Sequence, residues 1–120
     1  MMVKLIARFV NAHTGKAMVD PDVGARIYDR DPVSDEFLAE SRLSADGEAE
    51  WLFSLSAAGS LDSPGERRPD IYVELEKAGA VFFQTPVKFN MDFDTRDPVS
   101  GESRGQTRFL GVFHVDSPEP

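Results

Sequence analysis

Apolar and polar residues alternate with a period of two along most of the chain, the pattern of strands that bury one face. Val3, Leu5, Ala7 and Phe9 fall on one side of the first run, with Lys4 and Arg8 on the other. Ala49, Trp51, Phe53 and Leu55 repeat the pattern over 48–55, and Ile71, Val73 and Leu75 alternate with Tyr72, Glu74 and Glu76 over 71–77. Shorter runs over 25–29 and 37–44 read the same way. In AVFFQTPVKFNMDF, 80–93, every odd position from Val81 to Phe93 is apolar or Thr. This predicts one long strand burying Phe89, Met91 and Phe93, with Pro86 at a bulge or edge position where no ladder donor is needed. RFLGVFHV, 108–115, predicts a last strand with Phe109, Phe113 and Val115 on one side.

Segments rich in Gly, Pro, Asp and Ser separate these runs, as turn chemistry requires. Seven strands and no helical periodicity predict an all-β fold, a seven- or eight-stranded antiparallel β-sandwich of immunoglobulin or prealbumin type. At 120 residues the chain is one domain by size, with the sandwich over 1–116 and a flexible tail over 117–120. If every strand crosses the sandwich once, the connections alternate between its two ends. The loops after the second, fourth and sixth strands then share one rim. To that rim the sequence brings Asp29, Asp31, Asp35, Glu36, Asp70, Asp94 and Asp97, studded with Arg30, Arg67, Arg68, Arg96 and Arg104.

Composition narrows the partners. The net charge of −8 disfavours nucleic acid, because phosphate-backbone binding works through released counterions on a basic surface. Cys is absent, which removes thiolate chemistry and disulfides and points to a reducing, cytoplasmic setting. Lys4 and Arg8 interrupt the first apolar run, so it reads neither as a signal peptide nor as a membrane span, and a membrane partner is not expected.

The rim offers two chemistries. Asp29, Asp31, Asp35, Glu36 and Asp70 supply carboxylate oxygens for a calcium ion, which takes six to eight oxygens from a wrapping loop. Against this, Asp31 and Asp35 around Pro32 are also the residues that shape a turn by bonding its backbone, and turn-shaping is the reading the residues favour. An EF-hand is excluded, since Val33 and Ser34 stand where a ligand and the turn glycine are needed and strands flank the loop. Catalytic constellations are weaker still. His13 and His114 are the two histidines and fall away from the acids, and no nucleophile-elbow or phosphate-loop spacing occurs.

ARIYDRDPVSDEFLAE (25–40), SADGEAE (44–50) and RPDIYVEL (68–75) come in an order that resembles transthyretin-like domains, over about residues 23 to 77. The resemblance, shared with carboxypeptidase regulatory-like domains, implies a prealbumin-type sandwich that serves as a non-enzymatic module. Its partner is then another protein or a second copy, met through the acidic rim or an exposed sheet edge, and no cofactor is implied. YDRDPVSDEFLAE is also similar to a calcium loop of the phospholipid-binding domains of protein kinase C and synaptotagmin. That similarity implies the alternative, a calcium-binding module, membrane-facing in one form, using Asp29, Asp31, Asp35 and Asp70. Transthyretin relatives that hydrolyse hydroxyisourate end in Tyr-Arg-Gly-Ser, whereas this chain ends VFHVDSPEP, so that activity is not carried over; a hydrolase whose site the sequence hides is the third reading, behind the module and the calcium site.

Overall fold

The structure, a computed structural model, describes residues 2–54, 69–89, 91 and 107–116. Within them the chain runs β1 (Met2–Asn11), β2 (Gly24–Asp29), β3 (Glu36–Arg42), β4 (Glu48–Ser54), β5 (Ile71–Lys77), β6 (Ala80–Gln84) and β7 (Thr107–Val115). These strands form a three-stranded sheet, β4-β1-β7, and a four-stranded sheet, β3-β2-β5-β6. No helix of the described residues is long and apolar enough to cross a membrane. The expected tail, 117–120, lies outside the described residues.

The period-two pattern places the core directly. Val3, Leu5, Ala7 and Phe9 of β1 and Ala49, Trp51 and Phe53 of β4 face inward; Ala25 and Ile27 of β2 and Ile71, Val73 and Leu75 of β5 meet them in one apolar cluster. Trp51 is 1% exposed, and its indole N–H donates to the Ala25 carbonyl at 2.9 Å. A buried indole needs such a partner, and here the bond ties one sheet to the other.

The expected antiparallel pairing holds for every neighbour but one: β1 and β7 run parallel. The cause is the alternation itself. Strands that cross in turn leave the first and seventh pointing the same way, and the fold sets them side by side.

Two bulges correct the expected strands. The long strand over 80–93 ends as a ladder at Gln84. Beyond it Thr85 still donates to Val73, and Lys88 exchanges backbone bonds with Ile71 at 2.7 and 2.9 Å. One residue too many lies between those contacts, so the chain passes Pro86 as a bulge and continues in the same direction. Past it the regular alternation lapses: Met91 is buried, but Phe89, expected inside, is 61% exposed. Phe93 lies outside the described residues. In β7 the register with β1 shifts between Phe109 and Gly111, leaving Leu110 as the extra residue. That insertion turns Phe109 outward, 53% exposed, while Phe113 stacks on Phe9 at 5.6 Å inside. Phe109 and Phe113 therefore do not share a face as alternation predicted.

Candidate functional site

The acidic stretch is built from the end of β2. Asp29 follows Ala25 and Ile27 on the inward-facing positions, and it is buried at 4% exposure. Its carboxylate accepts the Asp70 N–H at 3.1 Å, while the Asp70 carbonyl accepts the Arg30 N–H at 2.8 Å. The neighbouring Pro69 carbonyl accepts the Met91 N–H at 2.8 Å. Residues 69–70 thus join the loop after β2 to the chain beyond β6, while 55–68 and 92–106, the rest of the other two rim connections, lie outside the described residues.

Beyond Arg30 the turn closes on itself. The Asp31 carboxylate accepts the Val33 N–H at 3.0 Å, and the Asp35 carboxylate accepts the Asp31 N–H at 3.1 Å. Its other oxygen accepts the Tyr72 hydroxyl at 2.5 Å. These are the side-chain to backbone bonds by which Asp shapes a turn. Glu36 is the first residue of β3, opposite Asp29 and exposed. Of the predicted acids, the structure brings Asp29 to Asp70 and Asp31 to Asp35. Among the described residues no three His, Cys, Asp or Glu side chains converge as a metal shell. Arg67, Arg68, Asp94, Asp97, Arg96 and Arg104 lie outside the described residues.

The residue that sequence reasoning missed is Tyr72. Read as strand surface, it is 6% exposed. It lies opposite Tyr28 across the β2–β5 ladder and stacks on it at 5.3 Å. Phe37 of β3 meets Tyr28 edge-on at 5.8 Å, and the Arg26 guanidinium covers Phe37 at 4.7 Å, a cation–π distance. The outer face of the four-stranded sheet thus carries an aromatic row over three strands, and Asp35 caps one end of it. Burial and the Asp35 carboxylate push the Tyr72 hydroxyl well above its usual range. The same hydrogen bond, with the Asp31 N–H, holds Asp35 below the usual carboxylate range. Asp35 is therefore ionised at neutral pH, the wrong state for a general acid.

The histidines are remote from this end. His13, in the β1–β2 turn, meets Asp116 at 2.7 Å, and both side chains are exposed.

A second feature lies at the outer edge of β7, which among the described residues pairs with β1 alone. Phe109 and Val112 are 53% and 48% exposed on the outer face of the sheet, while Leu110 and Phe113 line a cleft of about 220 Å³ with Ile71, Thr85, Pro86 and Lys88. The cleft opens between β7 and the chain that leaves β6.

No family model matches the chain, and no curated protein matches it. Among solved structures it is similar to a 9R-lipoxygenase from Cyanothece PCC8801, with a TM-score of 0.57 and 14% identity. The likeness takes in 96% of this chain and 16% of that one. At that identity it speaks to the two-sheet fold alone.

Proposed function

We propose that the chain is a non-catalytic binding or assembly module of prealbumin-type, transthyretin-like fold that engages a protein partner through the free edge of β7. The strand order supports the prealbumin type over the immunoglobulin one. An immunoglobulin sandwich sets its second strand between the first and fifth, whereas β2 here lies between β3 and β5.

The observation that carries the functional reading is the edge of β7, the least defended of the four among the described residues. Natural sheets blunt their edges with charges, Pro, bulges or short strands. On one side of this fold, Glu36, Glu40 and Arg42 charge β3 and Glu48 and Glu50 charge β4. β6 is five residues long and runs into Pro86. β7 has nine residues, a single bulge, and the uninterrupted apolar stretch FLGVF. In the acidic rim, in contrast, the carboxylates of Asp29, Asp31 and Asp35 are engaged in shaping their own loops.

Affinity purification of the tagged chain from its native cells, in three versions, tests this. The expected outcome is an associated protein held by wild type and by Asp35→Ala but lost with Val112→Lys, which puts a charge on the exposed edge. Loss with Asp35→Ala alone moves the function to the rim.

A further inference from the structure

We infer that Tyr28 and Tyr72 form a modification site, at which one-electron oxidation joins the two rings into an intramolecular dityrosine that staples β2 to β5. The inference is independent of the edge reading above.

The pairing comes first. The ladder sets Tyr28 directly opposite Tyr72, so the two side chains leave the outer face of the four-stranded sheet side by side. Their rings stack with centroids 5.3 Å apart and planes 14° from parallel, an offset stack within contact range.

Access and proton acceptors then give the order of events. Tyr28 is half-buried and open to a reagent in solution, while Tyr72 is 6% exposed. Each hydroxyl has a carboxylate beside it. The Tyr72 hydroxyl donates to Asp35, and Glu74 stands at the Tyr28 hydroxyl. A phenol gives up an electron readily only if its proton leaves too, and a hydrogen-bonded carboxylate is placed to take that proton.

The rest of the chain offers little competition. It holds two Tyr and no Cys, so no thiol quenches the radical and no other tyrosine can couple within the molecule. Trp51, the single Trp, is sealed in the core at 1% exposure.

The oxidant is hydrogen peroxide activated by a haem peroxidase. It takes one electron from Tyr28, whose proton passes to Glu74. Tyr72 refills Tyr28 through the stack, its own proton passing to Asp35, and a second one-electron step oxidises Tyr28 again. The two phenoxyl radicals form one carbon–carbon bond between ring positions ortho to oxygen. Both ortho hydrogens then leave as protons while both oxygens are reprotonated. In sum the pair loses two electrons and two protons, and one peroxide becomes two waters. The new bond ties together the two central strands of the sheet β3-β2-β5-β6. A cross-link between distant residues limits the unfolded chain, so the linked protein resists unfolding.

The test treats the full chain with a haem peroxidase and dilute hydrogen peroxide. The expected product is a monomer lighter by two hydrogens, with the blue emission of dityrosine and, after proteolysis, a linked peptide pair carrying Tyr28 and Tyr72. It should unfold at a higher urea concentration than the untreated chain. Tyr28→Phe and Tyr72→Phe keep a ring at each position and should each abolish the intramolecular product. Asp35→Asn keeps the shape of the side chain and removes the proton acceptor, so coupling should slow by at least about tenfold. Asp31→Asn alters the same turn at the residue that bonds Val33 and should leave the rate unchanged. A wild-type chain that loses no hydrogens overturns the inference. So does a product found only as cross-linked dimers, or one that survives either Phe variant. Equal rates in wild type and Asp35→Asn, or equal slowing by Asp31→Asn, overturn the proton path, and a linked chain no harder to unfold overturns the staple.

Discussion

At Tyr72 a single hydroxyl decides how the acidic turn is held. Tyr72→Phe keeps the ring and its stack on Tyr28 and removes only the bond to Asp35. The thermal midpoint should fall by a few degrees at neutral pH, read by circular dichroism or calorimetry. The pH dependence has a fixed sign. Asp35 is depressed in the folded state, so its contribution is present above the unfolded carboxylate value of about 4 and is lost as pH falls through the lower folded value. Tyr72 is raised, so its contribution is present below about 10 and is lost as pH climbs past it. The gap between wild type and Tyr72→Phe should therefore be widest between those limits and shrink below about pH 4. A gap that does not shrink as the pH falls would mean that the loss comes from something other than the bond to ionised Asp35. Asp29 was legible as an acid at the end of the second strand but not as a buried one, although the alternation of Ala25 and Ile27 puts position 29 inward, where it is 4% exposed. Tyr72 was not legible as buried either. Its partner Tyr28 is set by the β2–β5 register, and Asp35 is brought in by a loop, and neither relation leaves a trace in local periodicity.

At the scale of elements, turns and bulges decide where alternation holds. Gly47 lies in the turn that carries the chain from β3 in one sheet to β4 in the other, at φ 74°, and a Cβ there would lie 2.5 Å from the Phe9 carbonyl oxygen and 3.0 Å from the Met18 nitrogen. Those two atoms bond each other at 3.0 Å, and Phe9 also donates to the Gly47 carbonyl at 2.8 Å. The turn is thus wedged against β1. Gly15 has nearly the same φ, 72°, with open space around it. Gly47→Ala should cost about 2 kcal/mol or more through strain and clash, whereas Gly15→Ala should cost about 1 kcal/mol through the backbone alone. Urea unfolding of the two variants compares them, and equal losses would refute the wedge. Across the core, Trp51→Phe removes the one donor that bonds the Ala25 carbonyl from the opposite sheet. It should cost about 1 to 3 kcal/mol in the same assay. The strands from β1 to β5 match their predicted bounds within a residue or two, because turn formers bound each of them. β6 and β7 depart because one inserted residue flips every side chain beyond it. Pro86 announced the first bulge; the second, at Leu110, sits inside an apolar run where either face reads the same.

The whole molecule sets an acidic body against an edge cleared of acids. At pH 7 the charge of −8 keeps copies apart, since net charge far from zero opposes association. Among the described residues the outer edge of β7 has no strand paired to it. Near the isoelectric point, about 4.6, that repulsion vanishes while the apolar stretch FLGVF and its unpaired ladder groups remain. An exposed, apolar edge of this kind pairs with whatever strand it meets. Light scattering should find the chain monomeric at pH 7 and self-associated near pH 4.6. Val112→Lys should suppress the acid-induced species while shifting the isoelectric point little, because one added cation changes a balance of 13 against 21 only slightly. A surface control, Leu52→Lys, carries the same charge change at a residue 60% exposed on the same sheet, on β4. If both variants suppress association equally, net charge governs it and the edge does not. Suppression by Val112→Lys alone assigns the contact to β7, the edge that the protein partner would cover.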